Sequence, residues 1–201
     1  MPKLDFWYDF ASTYSYLSAM RIADAAQAAG VAIVYRPFLL GPIFKTMGWS
    51  TSPFQIYPAK GQYMVRDITR IANDRSLSFQ MPPTFPVNGL HAARIALAGE
   101  REGWIGQFTR NVFEAQFAHA RDIADRAVLS AILEDLRLDP EPILERSAAP
   151  DIKEALRAQT DSAAQRGVFG APTFITGDGE IFWGDDRLDQ ALAWAARAAS
   201  G

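Results

Sequence analysis

Leu4-Asp5-Phe6-Trp7-Tyr8-Asp9-Phe10-Ala11-Ser12-Thr13-Tyr14-Ser15-Tyr16-Leu17 is the stretch on which the fold turns. Leu4, Phe6, Tyr8 and Phe10 alternate with Asp5, Trp7 and Asp9, and a period of two built from aromatic residues predicts a strand. Beyond Ser12 the period becomes helical. Tyr16, Leu17, Met20, Ile22, Ala23 and Ala26 follow three-four spacing, Ser12 is placed as the N-cap, and Gly30 supplies a stop. The next apolar run, Val31 to Tyr35, predicts a second strand that ends at Arg36-Pro37, where proline removes an amide from the ladder. Strand, helix, strand implies a right-handed parallel crossover.

The pattern then stays helical for most of the chain. Lys60 to Arg75, Asn88 to Glu100, Trp104 to Ala120, Asp125 to Leu136, Asp139 to Arg146 and Asp151 to Arg166 carry three-four spacing. Asp125 and Asp139 are placed to cap orphan amides, and Pro140 suits a first helical position. Thr173 to Thr176 and Glu180 to Trp183 flank Gly177-Asp178-Gly179 and predict a hairpin. A last helix is expected over Asp186 to Ala199, with Asp186 and Asp189 receiving amides of its first turn. The order is that of an α/β, thioredoxin-like domain (residues 1–40 and 168–201) interrupted by a helical insertion (residues 41–167). In such a domain the functional groups gather where the first strand meets the first helix and at the loop leading into the third strand.

Composition narrows the chemistry. The 201 residues hold 20 basic and 23 acidic side chains, a net charge of -3, which offers no broad attraction to nucleic acid or to a membrane surface. There is no cysteine, so any sulfur chemistry has to use a sulfur that arrives with a ligand. The two histidines, His91 and His119, are too few for a multi-histidine site, and no metal is expected. Met1-Pro2-Lys3-Leu4-Asp5 lacks the pattern of a signal peptide, and no run is apolar enough to cross a bilayer, so a soluble, cytoplasmic protein is expected.

Ser12-Thr13-Tyr14-Ser15 stands where a disulfide oxidoreductase of this fold carries Cys-x-x-Cys. A serine there cannot cycle through a disulfide, but it can donate a hydrogen bond to an external anion such as a thiolate at a helix start. Plain N-capping, the common role of serine at a helix start, is the other reading of Ser12. In Val168-Phe169-Gly170-Ala171-Pro172-Thr173-Phe174, a cis bond before Pro172 would expose the Ala171 backbone to an extended, peptide-like ligand. Asp185 and Asp186 could hold a ligand ammonium, with capping as the other reading, and Lys60 could meet a ligand carboxylate or simply be a solvated surface charge.

Taken together, Asp9-Phe10-Ala11-Ser12-Thr13-Tyr14-Ser15-Tyr16-Leu17, Lys60-Gly61-Gln62-Tyr63-Met64, Phe85-Pro86-Val87-Asn88, Gly167-Val168-Phe169-Gly170-Ala171-Pro172-Thr173 and Trp183-Gly184-Asp185-Asp186-Arg187-Leu188 resemble the 2-hydroxychromene-2-carboxylate isomerases, relatives of the kappa-class glutathione transferases. The resemblance implies a DsbA-like thioredoxin fold that binds glutathione and a small aromatic or electrophilic substrate, and a homodimer. It places Ser12 at the glutathione sulfur, the Ala171 backbone before cis-Pro172 at the cysteinyl portion, Asp185 and Asp186 at the γ-glutamyl end, and Lys60 near the tripeptide's carboxylate. Asn88 matches an asparagine facing the second substrate, although helix capping explains it as well. Trp49, Phe54 and Phe85 are candidates for an apolar substrate pocket, or else core. The family usually carries proline at the position of Thr13 and often asparagine near Ser50 or Thr51. The implied activity is interconversion of 2-hydroxychromene-2-carboxylate and its ring-opened pyruvate isomer by reversible thiolate addition. Conjugation of glutathione to an electrophile and binding without turnover are the alternatives.

Overall fold

A computed structural model of the chain describes residues 1–198, so Ala199, the expected end of the last helix, lies outside the described residues. Strand β1 (Lys3–Tyr8) is an inner strand of a four-stranded sheet ordered β2-β1-β3-β4, with β2 at Ala32–Pro37, β3 at Thr173–Thr176 and β4 at Ile181–Trp183. β1 runs parallel to β2 and antiparallel to β3, which pairs antiparallel with β4. The sheet is thus the expected DsbA-like thioredoxin arrangement, with strands at both ends of the sequence and helices between them.

The alternation in β1 separates two buried faces rather than a buried face from a wet one. Leu4, Phe6 and Tyr8 face the main core, where the Phe6 ring lies 4.8 Å from Tyr8 and 5.6 Å from Phe174. Trp7 faces a smaller cluster with Phe38, Ile43, Ala163, Val168 and Ile175 on the other side of the sheet. Covering each such ring contributes about 1.5–3 kcal/mol. Tyr8 keeps a polar partner at depth: its hydroxyl and that of Thr109 are 2.7 Å apart, and burial pushes the phenol far above its ordinary range.

The helix expected between β1 and β2 is two helices, α1 (Thr13–Ala19) and α2 (Ile22–Ala29). The break falls where the Met20 carbonyl accepts from Arg110 Nη1 at 2.8 Å and where Arg21 turns its guanidinium to Asp189 and Asp185. Ser12 is the N-cap of α1, and Gly30 closes α2 with a φ of 67°, the left-handed conformation that favours glycine. Two short helices, α3 (Leu40–Thr46) and α4 (Pro53–Ile56), occupy a stretch with no clear periodicity in sequence. Then follow α5 (Pro58–Asp74), α6 (Leu90–Ala98), α7 (Ile105–Phe117), α8 (Arg126–Asp135), α9 (Pro140–Ser147) and α10 (Pro150–Gln165). Asp125 and Asp139 cap α8 and α9 as expected. After β4 a 3₁₀ turn over Asp185–Arg187 leads into α11 (Leu188–Ala198). One core joins the sheet to the helices, since Phe6, Phe174 and Leu188 share it with Phe108, Phe113 and Ile132. Among the described residues no helix is long and apolar enough to cross a membrane.

Candidate functional site

Ser12 lies where β1 ends and α1 begins, and it is 9% exposed. Its Oγ accepts the Ser15 amide at 3.1 Å, which is the capping bond, and donates to the Ala171 carbonyl at 2.9 Å. Capping and proximity to Ala171 are therefore both realised in one side chain. The Ala171–Pro172 and Phe85–Pro86 peptides are cis. Thr13, at the position where the resembling family usually has proline, is buried and donates to Met64 Sδ at 3.2 Å, tying the first residue of α1 to α5.

Asp9 organises this corner. Its carboxylate accepts the Ala11 amide at 2.8 Å and the Leu40 amide at 2.6 Å, so one buried side chain holds both the turn that carries Ser12 and the start of α3. A Cβ on Gly89 would lie 2.9 Å from Phe10 Cβ, so glycine there lets the segment after cis-Pro86 close onto the same turn. Burial holds the Asp9 carboxyl above the ordinary carboxylate range, against the pull of the two amides. Because folding raises this pKa, Asp9's contribution favours the folded chain fully below the unfolded value of 3.8 and is lost as pH rises through the folded value. The stability difference between wild type and Asp9→Asn, from urea unfolding, should accordingly shift in favour of wild type as pH falls through that interval. A difference independent of pH would contradict it.

Lys60 is exposed in the first turn of α5, with Nζ 4.9 Å from the Tyr57 ring centre. It stands one helical turn before Met64, the residue touching Thr13, so the two share the α5 face turned toward α1. A Cβ on Gly61 would meet the Phe54 carbonyl at 2.4 Å; the missing side chain lets α4 press against α5 and sets half-buried Phe54 beside this turn. Phe85 is half-buried, and its carbonyl accepts from Gln55 Nε2 of α4 at 2.5 Å. Thr51 donates to Gln55 Oε1 at 2.6 Å, tying the loop before α4 to that helix. Trp49 packs on Phe44 of α3 at 5.5 Å. Asn88 is exposed and its Oδ1 accepts the Leu90 amide at 3.1 Å, a side-chain turn just ahead of α6, whose N-cap is Gly89 and carries no side-chain cap.

The two carboxylates expected to share one task divide it. Asp185 is 2% exposed, and its oxygens are taken by Arg75 Nη2 at 2.7 Å, Arg75 Nη1 at 3.2 Å and Ser18 Oγ at 2.9 Å. Arg21 adds a bond from Nη2 to the Asp185 carbonyl at 3.0 Å and approaches the carboxylate with Nε at 3.7 Å. Asp186 presents the open carboxylate: its side chain is 74% exposed, with Arg187 3.8 Å away. Among the described residues no backbone amide is seen donating to the carboxylate of Asp186 or Asp189, the caps expected for α11. Asp189 is instead held by Arg21 Nη1 in bonds of 2.8 and 3.0 Å.

Sequence reasoning passed over three groups here. Arg75 and Ser18 were invisible because nothing local ties the end of α5 to the turn before α11. Phe169 and Trp183 form an exposed aromatic pair, 4.9 Å between centres, and a Cβ on Gly170 would lie 2.4 Å from the Trp183 indole nitrogen. The indole therefore lies over Gly170, next to Ala171. The signal was two large aromatics, each one residue from a glycine, inside the motifs already singled out.

The family model for the DSBA-like thioredoxin domain matches residues 3–193. The chain belongs to the DsbA-like thioredoxin family. Among curated members it is 30% identical over 187 residues to the 2-hydroxychromene-2-carboxylate isomerase of Sphingobium xenophagum, covering 92% of this chain and 94% of that one. It is 24% identical over 203 residues to glutathione S-transferase kappa 1 of Homo sapiens, covering 94% and 89%. A solved structure of a 2-hydroxychromene-2-carboxylate isomerase superposes with a TM-score of 0.88 at 25% identity, covering 98% of this chain and 96% of that one. Within the DsbA-like family this chain thus stands with isomerases and kappa transferases, and it meets the Ser12 corner without a cysteine.

Proposed function

We propose that the chain is a glutathione-dependent isomerase that interconverts 2-hydroxychromene-2-carboxylate and trans-o-hydroxybenzylidenepyruvate, or a related aromatic acid. The observation that carries this reading is the Ser12 corner: a hydroxyl beside the Ala171 backbone, in a chain without sulfur nucleophiles, whose relatives include isomerases of that name and glutathione transferases. The donor set fits a thiol tripeptide. Ser12 and the first amides of α1 suit an anionic sulfur, Ala171 offers backbone before cis-Pro172 for the cysteinyl portion, open Asp186 suits an ammonium, and Lys60 suits a carboxylate. Asp185 acts one step back, fixing the turn that presents Asp186.

Bound glutathione supplies a sulfur nucleophile that can add to and leave a conjugated double bond, which permits rotation about it. The chain's own part is positioning and charge stabilisation: Ser12 holds the sulfur in its anionic form, and Phe54 and Phe85 border the face on which an aromatic acid would lie. Trp49 and Asn88 complete the proposed pocket wall. The protein is taken to work as a cytoplasmic homodimer, which sedimentation at assay concentration can check.

Two measurements test the reading. Reduced glutathione should raise the melting temperature saturably, with a stabilisation of about 1.4 kcal/mol at ten times its dissociation constant. The chromene and pyruvate isomers should interconvert spectroscopically only when glutathione and protein are both present. Glutathione-dependent consumption of a general electrophile without that interconversion would assign the kappa-transferase activity instead. Binding without either reaction would leave a glutathione-binding module.

A further inference from the structure

We infer that the single proton of the Ser12 hydroxyl is handed from the Ala171 carbonyl to the ligand sulfur, and that the site therefore selects thiols carrying an amide N–H on the carbon next to the thiol-bearing one. This rests on the glutathione reading above and adds to it what the free protein's hydrogen bonds require. Ser12 Oγ receives the Ser15 amide at 3.1 Å, so that contact uses an oxygen lone pair. The Ala171 carbonyl at 2.9 Å has no proton of its own, so the hydroxyl proton points at it. A proton given to the carbonyl is not available to a sulfur anion.

Two things follow from this commitment. Moving the proton to sulfur needs only rotation about the Cβ–Oγ bond, with no heavy atom displaced. It also strips a donor from a half-buried carbonyl, which is costly unless another donor arrives. A cysteinyl thiol brings one in its own backbone N–H, while a simple alkanethiol brings none. The Ala171 carbonyl thereby acts as a check on ligand class: only a thiol that satisfies it releases Ser12 for the sulfur at little cost.

Glutathione and its depsipeptide analogue, in which an ester oxygen replaces the N–H between the γ-glutamyl and cysteinyl units, separate the possibilities. Dissociation constants come from calorimetry, and the bound thiol's pKa, referred to each free thiol, from ultraviolet thiolate absorbance. Against wild type the analogue should bind about tenfold more weakly and its bound thiol should titrate about one unit higher than bound glutathione. In Ser12→Gly, a substitution that N-cap positions tolerate, the two bound thiols should titrate alike, since no hydroxyl remains to be released. Ser12→Ala provides a second variant with the same expectation. Equal thiol shifts for the two ligands in wild type, whatever their affinities, would overturn the hand-over, as would a difference that persists in both variants. Failure of glutathione itself to bind would remove the proposed function, whereas normal glutathione binding with identical titrations would remove the hand-over alone.

Discussion

Arg75→Met should destabilise the protein by about 3 kcal/mol, because it leaves the Asp185 carboxylate buried with its main counter-charge gone. Asp185 is 2% exposed and Arg75 reaches both of its oxygens, at 2.7 and 3.2 Å. The Ser18 hydroxyl and the more distant Arg21 Nε soften the loss and place it at the low end of what broken buried pairs cost. The pair binds the C-terminal end of α5 to the turn before α11, so the damage is not confined to stability. Open Asp186 follows Asp185 directly, and glutathione affinity should fall in parallel. Urea unfolding of wild type, Arg75→Met and the double variant Arg75→Met/Asp185→Leu checks the cause. The double variant should recover much of the stability without recovering glutathione affinity, since an apolar pair can replace a buried ion pair but does not rebuild the turn. A neutral Arg75→Met, or a double variant less stable than the single one, would contradict this account of the network.

Ser12→Ala should raise the thiol pKa of bound glutathione by about one to two units, the equivalent of a charge-assisted hydrogen bond of about 1.5–3 kcal/mol. Turnover near neutral pH should fall by about tenfold to a hundredfold, and part of it should return as the assay pH is raised and the thiolate forms without assistance. Ser12 also caps α1 through the Ser15 amide, so the same change costs about 1 kcal/mol of stability. The two consequences separate cleanly, since a lost cap lowers the unfolding midpoint but leaves a bound thiol's titration in place. A folded Ser12→Ala protein that binds glutathione and keeps both its thiol titration and its turnover would reduce Ser12 to a cap.

The fold was legible because its deciding signals are local. The change from period two to helical spacing at Ser12 shows in the side chains alone, as do Gly30, the capping aspartates of α8 and α9, and the Gly177-Asp178-Gly179 turn. What escaped depends on partners far along the chain. The split between α1 and α2 is set by Arg110 reaching the Met20 carbonyl from α7, and Trp7 is buried because α3 and α10 cover the second face of the sheet. The same distinction runs through the site. Ser12 and Ala171 could be singled out one at a time, and their direct hydrogen bond joins residues 159 positions apart. Asp185 and Asp186 look equivalent in sequence; Arg75, 110 positions away from Asp185, together with Ser18 and Arg21, makes one a buried anchor, while the other stays open. Asn88 kept two readings in sequence; its side chain turns to the Leu90 amide, but the N-cap of α6 is Gly89, so it is not the helix cap.

The central claim is that the Ser12 corner binds glutathione and holds its sulfur as a thiolate. Titrating glutathione into the wild-type protein at a series of pH values, with ultraviolet absorbance reporting the thiolate, tests it most directly. Saturable binding should be seen, with the bound thiol's pKa below the ordinary cysteine value of about 8.5. Absence of binding at millimolar glutathione, or a bound thiol that titrates at or above its free value, would contradict the claim.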